Sequence, residues 1–279
     1  MQGALAERLT GIITGPEDDI PLLEAALLVA SHRYPSLDVN YYLGLIDELG
    51  AVLASKVADY LGPADRIVAL NHYLFDELGF TPNAKDYYDP RNSCVNEVVE
   101  RRTGIPITLA LVYMAVGDHI GLALNGVCYP GHFLVRAELP EGLLVVDPFS
   151  KGQSLNISEL QTRLRDARGG EVSRAIVAGL LVSANKREIL MRMLRNFKAI
   201  YLRSQDLNNA LAIMNWIVAA APHHATEVRD RGMVYQQLEC FRPAMADFER
   251  YLELAPDCGD GDSIRSRVME LQSSISMLN

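Results

Sequence analysis

The sequence predicts an α+β protein that ends in an all-α region. Helical periodicity fills the first third of its 279 residues, where apolar side chains recur every three to four positions. Two β-type runs, HFLVRAEL and GLLVVDPF, then flank the turn signal LPEG, which indicates an antiparallel hairpin. Helical periodicity returns from about residue 186. We therefore expect a helical N-terminal part, a core with a small antiparallel sheet, and a helical C-terminal region.

Three amphipathic helices are predicted in the first third of the chain. The first begins near Pro16 with an acidic first turn, which favours a helix N-terminus, and ends before Pro35. The second starts after Asp38, a residue type that caps helix N-termini. The third follows the break at Gly62 and Pro63. Each of these helices is expected to bury one apolar stripe.

Two more helices and a further β-type run are predicted before the hairpin. A short helix should run through NSCVNEVVERR, with Asn92 or Ser93 as its N-cap. The next helix, PITLALVYMAVGDHIG, has Pro106 at or near its first position and is apolar on nearly every side. We expect this helix to be buried inside the domain. The run GVCYPG follows it as a β-type segment.

The hairpin is expected to bring a histidine and an aspartate together. If LPEG closes a tight turn with Leu139 opposite Gly142, Asp147 lies across from Leu134 and diagonal to His132. Diagonal neighbours are about 7 to 8 Å apart at the backbone, within reach of an imidazole–carboxylate hydrogen bond. Such a pair is the supporting half of a Cys-His-Asp or Ser-His-Asp triad. The structural alternative is that His132 bonds to backbone while Asp147 caps the Asp-Pro turn.

The C-terminal region contains an internal repeat. Pro222 and Pro256 are 34 residues apart, and in the same register Tyr201 aligns with Tyr235. Gly232 falls where the first helix of a tetratricopeptide repeat takes a small residue. The pattern resembles two tetratricopeptide repeats, followed by the helix GDSIRSRVMELQSSISML, which would cap the array.

Four stretches of the chain resemble the bacterial SirB-type family, in which a transglutaminase-like core precedes tetratricopeptide repeats. They are LNHYLFDELGF, DYYDPRNS, NEVVERRTGIPITLALVYMAVG and GVCYPGHFLVR. The wider transglutaminase-like superfamily comprises papain-like thiol enzymes and their inactive relatives. The runs GHFLVR and LLVVDPF resemble the His and Asp strands of that superfamily. The resemblance covers nearly the whole chain. It implies a papain-like core with N-terminal helices over residues 1–185 and two repeats with a capping helix over residues 186–279.

The resemblance also implies that the usual nucleophile is missing. Active superfamily members carry their catalytic cysteine at the N-terminus of the buried helix, in a pattern of Gly, any residue, Cys, and Ala four residues further on. Here the pattern falls on Gly104, Ile105, Pro106 and Ala110, so proline occupies the place of the cysteine. Proline has neither a thiol nor a hydroxyl, and the site therefore cannot carry out acyl transfer in its usual form.

Two other cysteines are alternative nucleophiles. Cys94 lies in the first turn of a predicted helix, where a thiol can be activated, although about 13 Å of helix would separate it from Pro106. Cys128 precedes His132 by four residues on a predicted strand, and its expected role is packing. Either thiol, together with His132 and Asp147, would make a cysteine-dependent peptidase or acyltransferase. We expect instead a degenerate site in a protein that is not an enzyme.

The repeats predict a protein or peptide partner. Tetratricopeptide arrays bind peptides along a concave groove, and a regulatory or adaptor role follows from that mode of binding. The candidate partner-binding residues are Tyr201, Asn208, Tyr235 and Gln236. The sequence does not identify the partner or predict an oligomeric state.

Composition and charge argue against several other functions. The net charge of −9 and the pI near 5.2 disfavour a nucleic-acid partner, because phosphate binding needs a basic surface. The four cysteines are scattered and lack zinc spacing, so we expect reduced thiols, no metal and no cofactor. The longest apolar run spans about ten residues, roughly half of a membrane helix, and the N-terminus lacks a signal-peptide pattern. We therefore expect a cytoplasmic protein without a membrane partner.

Overall fold

The computed structural model describes residues 2–277, which contain thirteen α-helices and six β-strands. The chain divides into two compact units. The first unit contains the residues up to 193 except 13–15, and the second contains residues 13–15 and the residues from 194. The fold is thus of the predicted mixed α+β class, with a helical repeat region at the C-terminal end. Leu278, which the sequence predicts to be in the capping helix, lies outside the described residues, as do Met1 and Asn279.

Eight helices precede the repeat region. In chain order they are α1 (Gln2–Thr14), α2 (Leu22–Val29), α3 (Val39–Lys56), α4 (Pro63–Asn71), α5 (Val95–Arg101), α6 (Pro106–Asp118), α7 (Ile157–Arg168) and α8 (Arg174–Leu180). Helices α3 and α4 begin where predicted: the side chain of Asp38 accepts a hydrogen bond from the amide of Tyr41 at 3.0 Å, and Pro63 starts α4. Helices α1, α7 and α8 were not among the sequence predictions.

Two predicted helix starts are wrong. The helix expected from Pro16 begins only at Leu22. The N-cap of α5 is Cys94, because Asn92 and Ser93 belong to a preceding 3₁₀ turn, Pro90–Ser93. The Oδ1 of Asn92 accepts from Nδ2 of Asn83 at 3.2 Å and its Nδ2 donates to the carbonyl of residue 86 at 2.7 Å, so its side chain is not free to cap a helix. The sequence was correct that a helix lies in each segment and incorrect about where it begins.

Helix α6 is the centre of the first unit. Ten of its thirteen residues are buried, as predicted from its apolar composition, and Pro106 occupies its first turn. Gly117 lets a neighbouring segment approach closely, since a Cβ there would lie 2.6 Å from a methyl carbon of Leu124. The helix thus fixes the position of the sheet that follows it.

The strands form two small sheets. They are β1 (Thr81–Pro82), β2 (Thr103–Gly104), β3 (Leu124–Val127), β4 (Leu134–Leu139), β5 (Gly142–Asp147) and β6 (Gln153–Ser154). Strands β1 and β2 pair in parallel, and the other four form an antiparallel sheet in the order β3-β4-β5-β6. In the hairpin, Leu139 pairs with Gly142, which is the predicted register. Of the predicted β-type run GVCYPG, only Gly126 and Val127 are in a strand.

The repeat region consists of five helices. They are α9 (Lys186–Arg203), α10 (Leu207–Ala220), α11 (Ala225–Gln237), α12 (Phe241–Leu254) and α13 (Gly261–Met277). The turns after α9 and α11 have the same geometry 34 residues apart, with φ of 58° at Gln205 and 57° at Glu239. Each turn is closed by the same backbone hydrogen bond of 2.9 Å, to the carbonyl oxygens of Tyr201 and Tyr235 respectively. The backbone therefore repeats with the period found in the sequence.

Candidate functional site

The predicted histidine–aspartate pair is formed. His132 lies in the bend just before β4, and Asp147 is the last residue of β5. With the hairpin in its predicted register, Nε2 of His132 is 2.8 Å from Oδ1 of Asp147. The edge-on ring of Phe149, 5.8 Å from the imidazole centroid, packs against His132. The imidazole is therefore held by a hydrogen bond on one side and by an aromatic ring on another.

Asp147 is fully buried and accepts four hydrogen bonds. Besides His132, its donors are the backbone N–H of Phe149 at 3.0 Å, Oγ of Ser150 at 2.8 Å and Nη1 of Arg163 at 2.6 Å. Burial raises the pKa of Asp147, but the hydrogen bonds from His132, Arg163 and Ser150 outweigh it and lower the pKa to about 2. The carboxylate is thus ionised and accepts the hydrogen bond that Nε2 of His132 donates. Asp147 also caps its Asp-Pro turn, as the structural alternative expected.

Arg163 is the member of the site that sequence reasoning missed. It lies on α7, whose Leu160 and Leu164 are buried in an apolar cluster with Tyr129. Arg163 lies beside this buried stripe, with a third of its side chain exposed, and reaches Asp147. A signal for α7 exists in the sequence, because Asn156 and the residue three positions on form a capping box.

An open cleft of about 420 Å³ adjoins the pair. Its lining residues are Pro130, Gly131, His132, Asp147, Ser150, Arg163, Asp166 and Ala167. Gly131 has φ of 71°, and a Cβ at this position would lie 3.7 Å from the Cβ of Ala167. The imidazole of His132 is 18% exposed, so a small polar group in the cleft can reach it. The geometry provides a base and a cationic side chain beside a solvent-accessible space.

The position at which the sequence resemblance places the nucleophile holds a buried proline. Pro106 is in the first turn of α6, where its missing N–H and its ring suit a helix start. The nearest hydroxyl on the same helix, Oγ1 of Thr108, is fully buried and donates to the carbonyl of Asn92 at 2.7 Å. Oγ1 of Thr108 also accepts from the amide of Ile105 at 3.1 Å. Neither side chain at this helix end is available as a nucleophile.

Cys94 is placed where its thiol is inert. The side chain is fully buried, and its sulfur lies 3.4 Å from the carbonyl oxygen of Pro90. Burial, the largest effect, raises the pKa of Cys94 to about 12. A thiol with such a pKa is almost entirely protonated at neutral pH, and the protonated form is not a nucleophile.

Cys128 is placed differently from its sequence expectation. It follows the last residue of β3 and is exposed, so the predicted packing role is wrong. Both Cys128 and His132 lie outside strands, so the even number of residues between them does not place them on one face of a sheet. Cys128 is nevertheless an exposed cysteine close in sequence to the His132–Asp147 pair.

The candidate partner-binding residues of the repeats differ in accessibility. Tyr201 is only 2% exposed, with its ring stacked on that of Phe197, and it is therefore unsuitable for partner binding. Asn208 is exposed. Tyr235 is partly buried, with the guanidinium of Arg231 5.7 Å from its ring centroid. Gln236 accepts a hydrogen bond from a guanidinium of α13 at 2.8 Å.

A metal-ion site and a membrane-spanning helix are not found within the described part of the chain. No group of three His, Cys, Asp or Glu side chains is arranged to hold a metal ion among residues 2–277. Over the same residues, none of the helices has both the length and the hydropathy needed to cross a bilayer.

Comparison with known proteins identifies both parts of the chain. The model of the transglutaminase-like superfamily matches residues 40–195, and a tetratricopeptide-repeat model matches residues 197–269. A UPF0162 protein of Xylella fastidiosa (strain 9a5c) is 39% identical over 264 residues, which are 94% of this chain and 94% of that protein. No solved structure matches the chain.

More distant relatives extend the comparison. Protein SirB1 of Salmonella typhimurium is 23% identical over 256 residues, covering 90% of this chain and 93% of its own length. F-box only protein 21 of Mus musculus is 32% identical over 140 residues, which are 47% of this chain and 21% of that protein. The chain therefore belongs to the transglutaminase-like superfamily and, within it, to the family of UPF0162 and SirB1 proteins that carry tetratricopeptide repeats.

Proposed function

We propose that this protein is a non-catalytic, regulatory protein-interaction component built on a degenerate transglutaminase-like core. The carrying observation is the combination of Pro106 at the start of α6 with an intact hydrogen bond between His132 and Asp147. An acyl-transfer site needs a nucleophile for its base to activate. In this core the His132–Asp147 pair is present, whereas the first turn of α6 offers no thiol and only the buried, hydrogen-bonded hydroxyl of Thr108.

The repeat region supports the interaction role. Tetratricopeptide arrays bind peptide segments, and the helices from α9 to α13 provide two such units and a final helix. We place partner binding on Asn208, Tyr235 and Gln236, and we place the start of the repeat domain at Lys186, the first residue of α9. We also propose a cytoplasmic setting, which the scattered cysteines support.

The interaction role can be tested by affinity capture with the full-length chain. We expect a defined set of proteins to be captured, and Asn208→Arg or Tyr235→Ala to remove them. Gln272→Arg is the matched control, since Gln272 is an exposed residue of α13 and the variant adds the same charge as Asn208→Arg. His132→Ala should leave capture unchanged. If all four variants retain the same partners, the repeats do not carry the binding.

The second candidate function is a cysteine-dependent peptidase or acyltransferase that uses Cys128. Two observations favour it over the version with Cys94: Cys128 is exposed, whereas Cys94 is buried and has a raised pKa. The intact pair of His132 and Asp147 would then supply the base and the group that orients it.

Thiol reactivity separates the two functions. Under the non-catalytic proposal, iodoacetamide should alkylate Cys128 at the rate of an ordinary exposed thiol, and His132→Ala should not change that rate. A thiol activated by His132 would instead react faster than a model thiol near neutral pH and lose the advantage in His132→Ala. The second result would overturn the non-catalytic proposal.

A further inference from the structure

Helix α3 has two apolar faces. One includes Ile46 and Leu53 and is buried in the first unit. The second lies about 120° further around the helix and carries Tyr41, Leu45 and Val52, with Tyr41 57% and Val52 46% exposed. A surface helix normally presents polar residues beside its buried stripe. The second apolar face is therefore a feature that the packing of the first unit does not explain.

A groove runs beside this second face. It has a volume of about 280 Å³ and lies between Leu45, Leu49 and Val52 of α3 on one side and Leu78 and Val99 on the other. We call it the α3 groove. The apolar residues of α3 from Tyr41 to Val52 cover about 16 Å at 1.5 Å per residue, which corresponds to three turns of a helix.

Charged side chains at the rim of the α3 groove are predominantly acidic. Glu48 and Glu100 line it together with Arg102. Glu100 accepts a hydrogen bond from the hydroxyl of Tyr42, and Nη1 of Arg102 donates to the carbonyl of Leu78 at 2.7 Å. Within residues 2–277 neither glutamate forms a salt bridge, so both carboxylates are available to cations from outside the chain.

We propose that the α3 groove binds a short amphipathic helix of a partner protein that carries lysine or arginine beside its apolar residues. Leucine-sized side chains at helical spacing would bury the exposed apolar area of Val52 and Leu45, as in other helix-in-groove complexes. The basic residues would pair with Glu48 and Glu100. The net charge of −9 favours a basic partner over an acidic one. The partner surface lies in the transglutaminase-like core, so it goes beyond the proposed role of the repeats.

A labelled peptide tests this proposal with the full-length protein. The probe is a fluorescein-labelled helical peptide with leucines at positions i, i+4 and i+7 and lysines flanking them, and its binding is measured by fluorescence anisotropy. We expect Val52→Asp to weaken binding at least about tenfold, because it places a charge in the apolar groove. Val68→Asp is the matched control, since Val68 is 66% exposed on α4 and does not line the groove.

The two aspartate variants carry the same charge change, which makes the comparison sharp. Non-specific attraction of a basic peptide to an acidic protein would be strengthened by both variants equally. Binding in the α3 groove should be lost in Val52→Asp and kept in Val68→Asp. The proposal would be overturned if both variants bound the peptide as tightly as the unaltered protein or more tightly, or if the unaltered protein did not bind it. Far-ultraviolet circular dichroism establishes that each variant is folded.

Charge reversal provides an independent test. Glu48 is exposed, and its replacement is expected to leave the fold intact. Glu48→Lys should weaken binding of the lysine peptide and strengthen binding of a matched peptide in which glutamates replace the lysines. An unchanged preference for the lysine peptide would contradict the assignment. A dimer in solution that Val52→Asp converts to a monomer would also overturn it, because a second copy of the chain would then cover the groove.

Discussion

Arg163 and His132 bind opposite oxygens of the same buried carboxylate. Nη1 of Arg163 lies 2.6 Å from Oδ2 of Asp147, and Nε2 of His132 lies 2.8 Å from Oδ1. The aspartate therefore has a permanent cationic partner from α7 and does not depend on protonation of the imidazole for its neutralisation. His132, Asp147 and Arg163 thus form one hydrogen-bonded cluster of three side chains.

Replacing Arg163 should destabilise the protein. In Arg163→Ala the fully buried carboxylate of Asp147 loses its shortest hydrogen bond while keeping its charge. We expect the free energy of unfolding to fall by about 1–3 kcal/mol, the usual cost of leaving a buried polar group partly unsatisfied. Urea denaturation monitored by circular dichroism measures the change. Arg165→Ala is the control, because Arg165 is an exposed residue of the same helix, and equal losses in the two variants would contradict this role for Arg163.

Acid should remove the stability that Asp147 provides. Its pKa is lowered from 3.8 in the unfolded reference to about 2 in the folded protein. A carboxyl group with a lowered pKa stabilises the folded state above the unfolded value, and this contribution is lost as the pH falls through the folded value. Its size is about 2 kcal/mol. Asp147→Asn cannot titrate, so the difference in free energy of unfolding between the two proteins should shrink by that amount from about pH 5 to about pH 2. A difference that is constant over this range would contradict the assignment.

Local sequence signals were sufficient for the hairpin and for helix α6. A turn signal between two β-type runs determines which residues face each other, so the hydrogen bond between His132 and Asp147 followed from the pairing of Leu139 with Gly142. The apolar composition of α6, after Pro106, likewise indicated both its start and its burial. These features depend on neighbours within a few residues in the chain or on a two-strand register.

Features that depend on tertiary packing were missed or wrong. The sequence of α7 is polar apart from a few residues, so its helical period was weak, and nothing local indicated that Arg163 would reach Asp147. Tyr201 was a candidate partner-binding residue, but it is only 2% exposed. Cys128 was expected to be buried in a strand that in fact ends one residue earlier. Burial of one residue by another segment cannot be deduced from the period of its own segment.

The thiol of Cys94 should be unreactive in the folded protein. Burial raises its pKa to about 12, so at mildly alkaline pH almost no thiolate is present for reaction with Ellman's reagent. We expect Cys94→Ala to leave the number of rapidly reacting thiols unchanged and Cys128→Ala to lower it by one, because Cys128 is exposed. In urea both variants should lose one reactive thiol. A rapidly reacting thiol that disappears in Cys94→Ala would contradict the buried placement and revive its candidacy as a nucleophile.

The repeat region should be sensitive to a single methyl group at Gly232. A Cβ there would lie 2.8 Å from Cε1 of Phe248, whose ring is fully buried, so helices α11 and α12 would have to separate. We expect Gly232→Ala to lower the free energy of unfolding by about 1–3 kcal/mol through overpacking, despite the better helix propensity of alanine. Gly44→Ala is the matched control, because Gly44 is also inside a helix and its added Cβ would have no atom within 4 Å. That variant should stabilise the protein by up to about 1 kcal/mol.

The first repeat has Lys198 at the position of Gly232, where the side chain extends to Glu227 at 2.7 Å. Close helix packing is therefore a property of the second repeat, and equal stabilisation of both glycine variants would contradict it.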